Sequence, residues 1–280
     1  MKKLTLGFSP CPNDTYIFDA MVHHKVDTEG LEFKYFMADV EKLNERAFAE
    51  MPDITKLSFH AFLFLAGRYL LLDSGAALGF GTGPLVVSKY LAHFNELQGK
   101  VVAIPGVYTT ANLLFSLAAG GNVVKKEMLF SEIENSILNG DVDAGVIIHE
   151  SRFTYQQKGL HKLLDLGEYW ERLTGLPVPL GGIAAHQRLD VETIAKINRI
   201  VRRSIEYANA QKGKLSDFVR CNAQEMDAAV MEKHINLYVN EFTLSLGQQG
   251  RTAVHEMFEQ ALSKGIIPKM PELIFADTWD

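Results

Sequence analysis

Cysteine is scarce: Cys11 and Cys221 are the only two in 280 residues. They lie far apart and form neither a metal-type nor a redox pair, so a disulfide framework is excluded and both read as free thiols of a reducing compartment. Basic runs are missing as well. Lys and Arg total 28 against 34 Asp and Glu, a net charge of −6, which excludes an ordinary nucleic-acid binder. The longest apolar region, near Phe59 to Leu72, is interrupted by His60 and Arg68 and is too short to span a bilayer. Met1-Lys2-Lys3 looks like the basic start of an export signal, but the apolar run after it is only Leu4 to Phe8. Pro10, Pro12, Asn13 and Asp14 end it, where a signal needs roughly 7 to 15 apolar residues. The same shortness argues against a lipid anchor on Cys11. The chain is expected in the cytoplasm, with no membrane and no nucleic acid among its partners, and a homodimer is left open.

Several catalytic patterns are absent too. Gly79 to Gly83 has alternate glycines without the third of a dinucleotide fingerprint, and Pro84 is wrong for a helix start. There is no phosphate loop and no Gly-x-Ser-x-Gly elbow. His149-Glu150 lacks a second histidine at zinc-protease spacing, and His23-His24 sit at an expected helix end. A metal or nucleotide enzyme is disfavoured, so neither a metal nor a cofactor is expected.

What is present is ordinary globular composition, 47% hydrophobic and 22% charged, with length enough for two compact units. Strands are expected at Lys3–Phe8, Leu31–Met37 and Asp53–Leu57. Between them come a helix over Asp14–His23 and one capped by Asp39, and Ser58 caps a third. This βαβα alternation predicts an α/β fold with a largely parallel sheet. The theme recurs: strands Leu85–Ser88, Val101–Ile104 and Ala144–Ile148, a helix after Thr109-Thr110, and a capping box at Ser131 to Glu134. Helices dominate from Asp190, with apolar stripes at Ile194, Ile197, Val201, Ile205 and Ala208, then Val254, Met257, Phe258, Ala261 and Leu262. Two segments that mix glycine with proline, Gly79–Pro84 and Pro177–Gly182, are candidate crossings between lobes. They place lobe 1 at 1–84 plus 181–280 and lobe 2 at 85–180.

Ligands of open α/β sheets sit beyond the carboxyl ends of the strands, where helices begin. Ser9 to Thr15, Lys56 to Ser58 and Thr109 to Ala111 all have that form, with small polar residues just after an apolar strand. Each alone is a helix cap. Three in equivalent positions favour one small anionic ligand, held by backbone N–H groups and hydroxyls, with Lys56 adding charge. His149 is the first polar side chain after Ala144 to Ile148, so it should face the cleft. An imidazole there suits a general base, although a structural histidine fits the same position. Glu150, next along a strand, should point the other way.

Gly7-Phe8-Ser9-Pro10-Cys11-Pro12-Asn13-Asp14-Thr15 resembles the N-terminal motif of the 1,4-dihydroxy-6-naphthoate synthase family of menaquinone biosynthesis. Thr55-Lys56-Leu57-Ser58, Thr109-Thr110-Ala111 and Ala144 to Glu150 resemble the same family in order, over essentially the whole chain. Tyr16 departs from it, standing where the family more often has Phe. The resemblance implies a two-lobed periplasmic-binding-protein-like (type II) fold with a ligand cleft between the lobes. It also implies a cofactor-free carbon–carbon lyase acting on cyclic dehypoxanthine futalosine, with His149 as general base. Ser58, Thr109, Thr110 and Ala111 would contact a substrate carboxylate with Lys56 in support. Asn13 and Asp14 would shape the other wall, and Tyr155 would lie near His149. The rivals are a solute-binding protein that does no chemistry, the related chorismate dehydratase, and a transcriptional effector-binding domain.

Overall fold

The computed structural model describes residues 1–211, 214–223 and 227–276. Its strands are β1 Lys2–Phe8, β2 Leu31–Met37, β3 Ile54–Ser58, β4 Tyr69–Leu71, β5 Ala77–Gly79, β6 Leu85–Ser88, β7 Val101–Ile104, β8 Val124–Glu127, β9 Ala144–Ile147, β10 His161–Asp165 and β11 Val178–His186. They form two sheets. The first has the order β2-β1-β3-β11-β4, with β5 also on β11, and the second runs β10-β6-β9-β7-β8. The chain therefore leaves the first sheet after β5 and returns to it at β11. Most of the Pro177–Gly182 segment is strand, and it runs beside β5 with Val178 opposite Gly79 and Pro179 opposite Leu78.

Both sheets are mixed, which corrects the expectation of a largely parallel one. β1 runs parallel to β2 and β3, and β7 runs parallel to β8 and β9. The returning β11 is antiparallel to β3, β4 and β5, and β6 is antiparallel to β9 and β10. The turn between the sheets is tight. A Cβ on Gly83 would lie 2.1 Å from the backbone nitrogen of Gly167, so only glycine fits there.

Helices cover the sheets by their apolar stripes. Ile17, Phe18 and Met21 of the helix Pro12–Val22 meet Ile194, Ile197, Val201 and Ile205 of the helix Val191–Ala210 over β1. A larger core joins Phe59 and Phe62 to Val102, Leu113, Leu114, Trp170 and Phe258, so side chains from both sheets share one apolar mass. Burying each such side chain contributes about 1.5–3 kcal/mol. Helix starts follow the sequence in part. Asp39, Thr109 and Asp190 each accept a first-turn N–H. The expected capping box at Ser131 does not form, because the helix already begins at Phe130 after Leu129. Glu134 is instead buried and accepts from Ser151 Oγ at 3.0 Å and Lys158 Nζ at 2.7 Å.

His60 ties the two sheets together at the cleft edge. Its Nδ1–H donates to the carbonyl of Thr109 at 3.2 Å. Burial pulls its pKa down to about 4, the Thr109 bond opposing and Lys125 adding a little. The unfolded imidazole titrates near 6.5. Stability from neutral His60 is thus complete above about pH 6.5 and drains away as the pH falls towards 4, at up to about 1.4 kcal/mol per pH unit. The variant His60→Asn, which keeps a donor without the titration, is expected to show a shallower loss of Tm over that interval. An unchanged slope would contradict the assignment.

Candidate active site

A cleft with about 730 Å³ of empty space, part of it open to solvent, is lined from both sheets. Ser9, Lys56 and Ser58 come from the carboxyl ends of β1 and β3, and Asn13 and Asp14 from the helix after β1. Thr109, Thr110 and Ala111 follow β7, and His149 follows β9. The structure thus brings together eight of the nine residues singled out from the sequence. Tyr155 is the exception. It packs behind the second sheet with Leu85, Val87, Ile133 and Ile147 and does not line the cleft.

Asp14 organises one wall. Its Oδ2 accepts from Ser9 N at 3.1 Å and Ser9 Oγ at 2.8 Å, and its Oδ1 from Asn13 Nδ2 at 2.9 Å and Lys56 Nζ at 3.1 Å. Lys56 is therefore compensated by a buried partner. Ser58 also differs from expectation: its side chain does not cap the helix that follows. Its Oγ accepts from Asn44 Nδ2 at 3.2 Å, and its N–H donates to Asn44 Oδ1 at 3.1 Å.

Across the cleft, Thr109 Oγ1 donates to Gly106 O at 2.8 Å and accepts from Asn112 N at 3.2 Å. Thr110 Oγ1 donates to Leu180 O at 2.6 Å. Both hydroxyl protons are spent inside the protein. What this wall offers an anion is the N–H groups of Thr110 and Ala111, first-turn donors of the helix Thr110–Ala119 that the helix cannot satisfy itself.

His149 sits just past β9 with φ 57°, a left-handed conformation that is uncommon for a residue with a side chain. That backbone ends the strand and starts the short helix Ser151–Thr154. Glu150 is consequently not turned opposite to His149 as an extended strand would require: its Oε2 lies 4.0 Å from Nδ1 of the cleft-lining His234. The His149 ring meets the edge of Phe130 at 4.9 Å and the ring of His234 at 6.2 Å. Its Nδ1 is 3.5 Å from Cys11 Sγ, while its Nε2 has no partner among the described residues. Burial holds the His149 pKa below the usual imidazole value, with Glu150 and Asp14 pulling the other way. Burial likewise pushes the Cys11 thiol well up, and Glu150 adds to this.

Cys11, Arg152, His234 and Tyr238 escaped sequence reasoning. Arg152 lines the cleft, donates to Gly83 O and pairs with Asp165 at 3.0 Å. His234 and Tyr238 lie on the buried face of the helix Ala228–Tyr238 with Met231 and Ile235. The signal was there: a histidine inside an apolar stripe has to find a polar partner. His234 Nε2 meets Asn13 Oδ1 at 2.9 Å.

Proteins named 1,4-dihydroxy-6-naphtoate synthase, from Thermus thermophilus and Streptomyces coelicolor, are 43% and 41% identical to this chain. The alignments cover 98% and 95% of it and 100% and 95% of those proteins. A family model described as menaquinone biosynthesis matches residues 4–263. The chain belongs to the 1,4-dihydroxy-6-naphthoate synthase family of menaquinone biosynthesis. A solved structure from Archaeoglobus fulgidus shares 36% identity with this family member at a TM-score of 0.89, over 95% of this chain and 98% of that one. The periplasmic aliphatic sulphonate binding protein of Escherichia coli, 13% identical, superposes with a TM-score of 0.68 over 100% of this chain and 92% of its own. That likeness concerns the fold, which is the two-lobed binding-protein architecture. Among the described residues no helix is long and apolar enough to cross a membrane.

The Asp14–Lys56 pair is nearly inaccessible, at 2% and 8% side-chain exposure. Removing one member strands the other charge in the interior, at a cost of about 3–5 kcal/mol. Asp14→Ala is expected to lose that much stability in denaturant titration, and the double variant Asp14→Ala/Lys56→Met clearly less. Equal losses would show that the pair is not coupled.

Proposed function

We propose that this protein is a carbon–carbon lyase that converts cyclic dehypoxanthine futalosine to 1,4-dihydroxy-6-naphthoate with loss of a small sugar-derived fragment. The observation that carries the proposal is His149: an imidazole of lowered pKa at the cleft wall, with one nitrogen against Cys11 Sγ and the other unpartnered among the described residues. An imidazole held neutral near pH 7 has one lone pair ready to accept a proton. With the proton on Nδ1, turned to Cys11 Sγ, that lone pair is on Nε2. His149 takes a proton from the substrate, and the electrons released drive the cleavage.

The rest of the cleft supports a carboxylate-bearing substrate. The N–H groups of Thr110 and Ala111 and the positive end of their helix hold the carboxylate, opposite the Ser58 and Lys56 wall. Asn13 and Asp14 shape the facing side. Lobe closure over the cleft excludes water from the reacting bond. The two named relatives favour this reading over chorismate dehydratase and over a binding protein without chemistry.

The test is to incubate the purified protein with cyclic dehypoxanthine futalosine, without added metal or nucleotide, and follow products by mass. Appearance of 1,4-dihydroxy-6-naphthoate is expected. Tight binding without conversion would point to the solute-binding reading, and loss of chorismate in a parallel assay to the dehydratase.

A further inference from the structure

Four buried side-chain polar atoms lack a hydrogen-bond partner among the described residues: Glu134 Oε1, His149 Nε2, Glu150 Oε2 and His234 Nδ1. Glu150 Oε2 and His234 Nδ1 face each other beside Cys11 and the Nδ1 edge of His149. Cys11 Sγ, a His149 nitrogen and a Glu150 carboxylate oxygen lie within 4.8 Å of one another, and His234 Nδ1 is 4.0 Å from Glu150 Oε2. Unpaired polar atoms in an interior are costly, and two that face each other call for a common partner.

Hydrogen bonding fixes what kind of partner. The ionised Asp14 carboxylate only accepts, so the amide nitrogen of Asn13 is the end turned to it, at 2.9 Å. Asn13 Oδ1 therefore faces His234 Nε2 at 2.9 Å, and Nε2 carries the proton. In the neutral ring this leaves Nδ1 as a bare lone pair, aimed at another acceptor, Glu150 Oε2. Beside them stand a thiol and a second imidazole. The cluster is rich in electron pairs and short of positive charge.

We propose that Cys11, His149, Glu150 and His234 form a site for a zinc-like divalent cation whose occupancy switches the enzyme off. The dimensions fit. Zinc–nitrogen and zinc–sulfur bonds of about 2.0–2.3 Å place ligand atoms of a tetrahedral shell about 3.4–3.7 Å apart. Cys11 Sγ and His149 Nδ1 are already 3.5 Å apart, and the Glu150–His234 gap is 4.0 Å. A thiolate with imidazoles selects zinc, cobalt and copper over magnesium and calcium. Thiolate and carboxylate together cancel the dication, so no net charge is buried.

Inhibition follows from the tautomer. A neutral imidazole has one lone pair, and a cation on Nδ1 sends the ring proton to Nε2. His149 then presents a donor where the lyase mechanism needs a base. Cys11 gives its proton to solvent as the bond forms. The inhibitory consequence rests on the proposed lyase function; metal uptake does not.

The test is to titrate the chelator-treated, full-length protein with Co²⁺ and then Zn²⁺. One equivalent of Co²⁺ per chain is expected, with a near-ultraviolet thiolate-to-cobalt band that Zn²⁺ displaces. Turnover should fall in step with occupancy and return with chelator. Cys11→Ser should abolish the band. Glu150→Gln, close to isosteric, and His234→Asn should each weaken uptake at least about tenfold, with thermal melts confirming that they fold. Absence of the thiolate band, or a band that survives Cys11→Ser, would overturn the site. Normal uptake with undiminished turnover would overturn the switch. Uptake in a protein that shows no lyase activity would leave the site standing and count against the function alone.

Discussion

Asp14 is the residue on which the arrangement of the cleft depends. Its carboxylate sits at the first turn of the helix after β1 and collects donors from three directions: the chain leaving β1 at Ser9, its neighbour Asn13, and Lys56 on β3. Two adjacent parallel strands are thereby locked to one helix start at the point where the ligand space opens. The network continues through Asn13 to His234, which anchors a helix from late in the chain to the same wall. A buried acceptor with four donors is an expensive feature, tolerated because each donor would otherwise be unpaired in the interior.

The opposite wall is built on backbone geometry. A residue in left-handed conformation after β9 turns the chain out of the sheet and leaves the imidazole at the cleft. Phe130 limits how the ring can swing, and Cys11 Sγ meets one of its nitrogens. Cys11 follows β1 of the first sheet and His149 follows β9 of the second, so their contact joins the two walls.

Much of this was legible in the sequence because it is local. The strand Leu31–Met37 and the strands Leu85–Ser88 and Val101–Ile104 carry their own apolar character and matched residue for residue. β8, Val-Lys-Lys-Glu, has only Val124: it is exposed throughout and is a strand because β7 pairs with it at the sheet edge. The Ser131 capping box failed because Phe130 had to be buried one residue earlier. Of the site, the helix starts and His149 were readable, since strand ends dictate where ligands go. The Cys11–His149 contact and the Glu150–His234 approach join residues 138 and 84 apart in the chain, and no spacing rule reaches across such distances. The hydroxyls of Thr109 and Thr110 were readable as polar, but their spending on Gly106 and Leu180 depends on the fold.

The central claim is that His149 acts on the substrate chemically and is not what holds it. The measurement that tests this most directly is to compare His149→Ala with the unaltered protein for ligand affinity and for single-turnover rate. The account predicts binding within a few-fold of the original and no detectable turnover. Full turnover in the variant, or loss of binding in parallel with loss of rate, would contradict it.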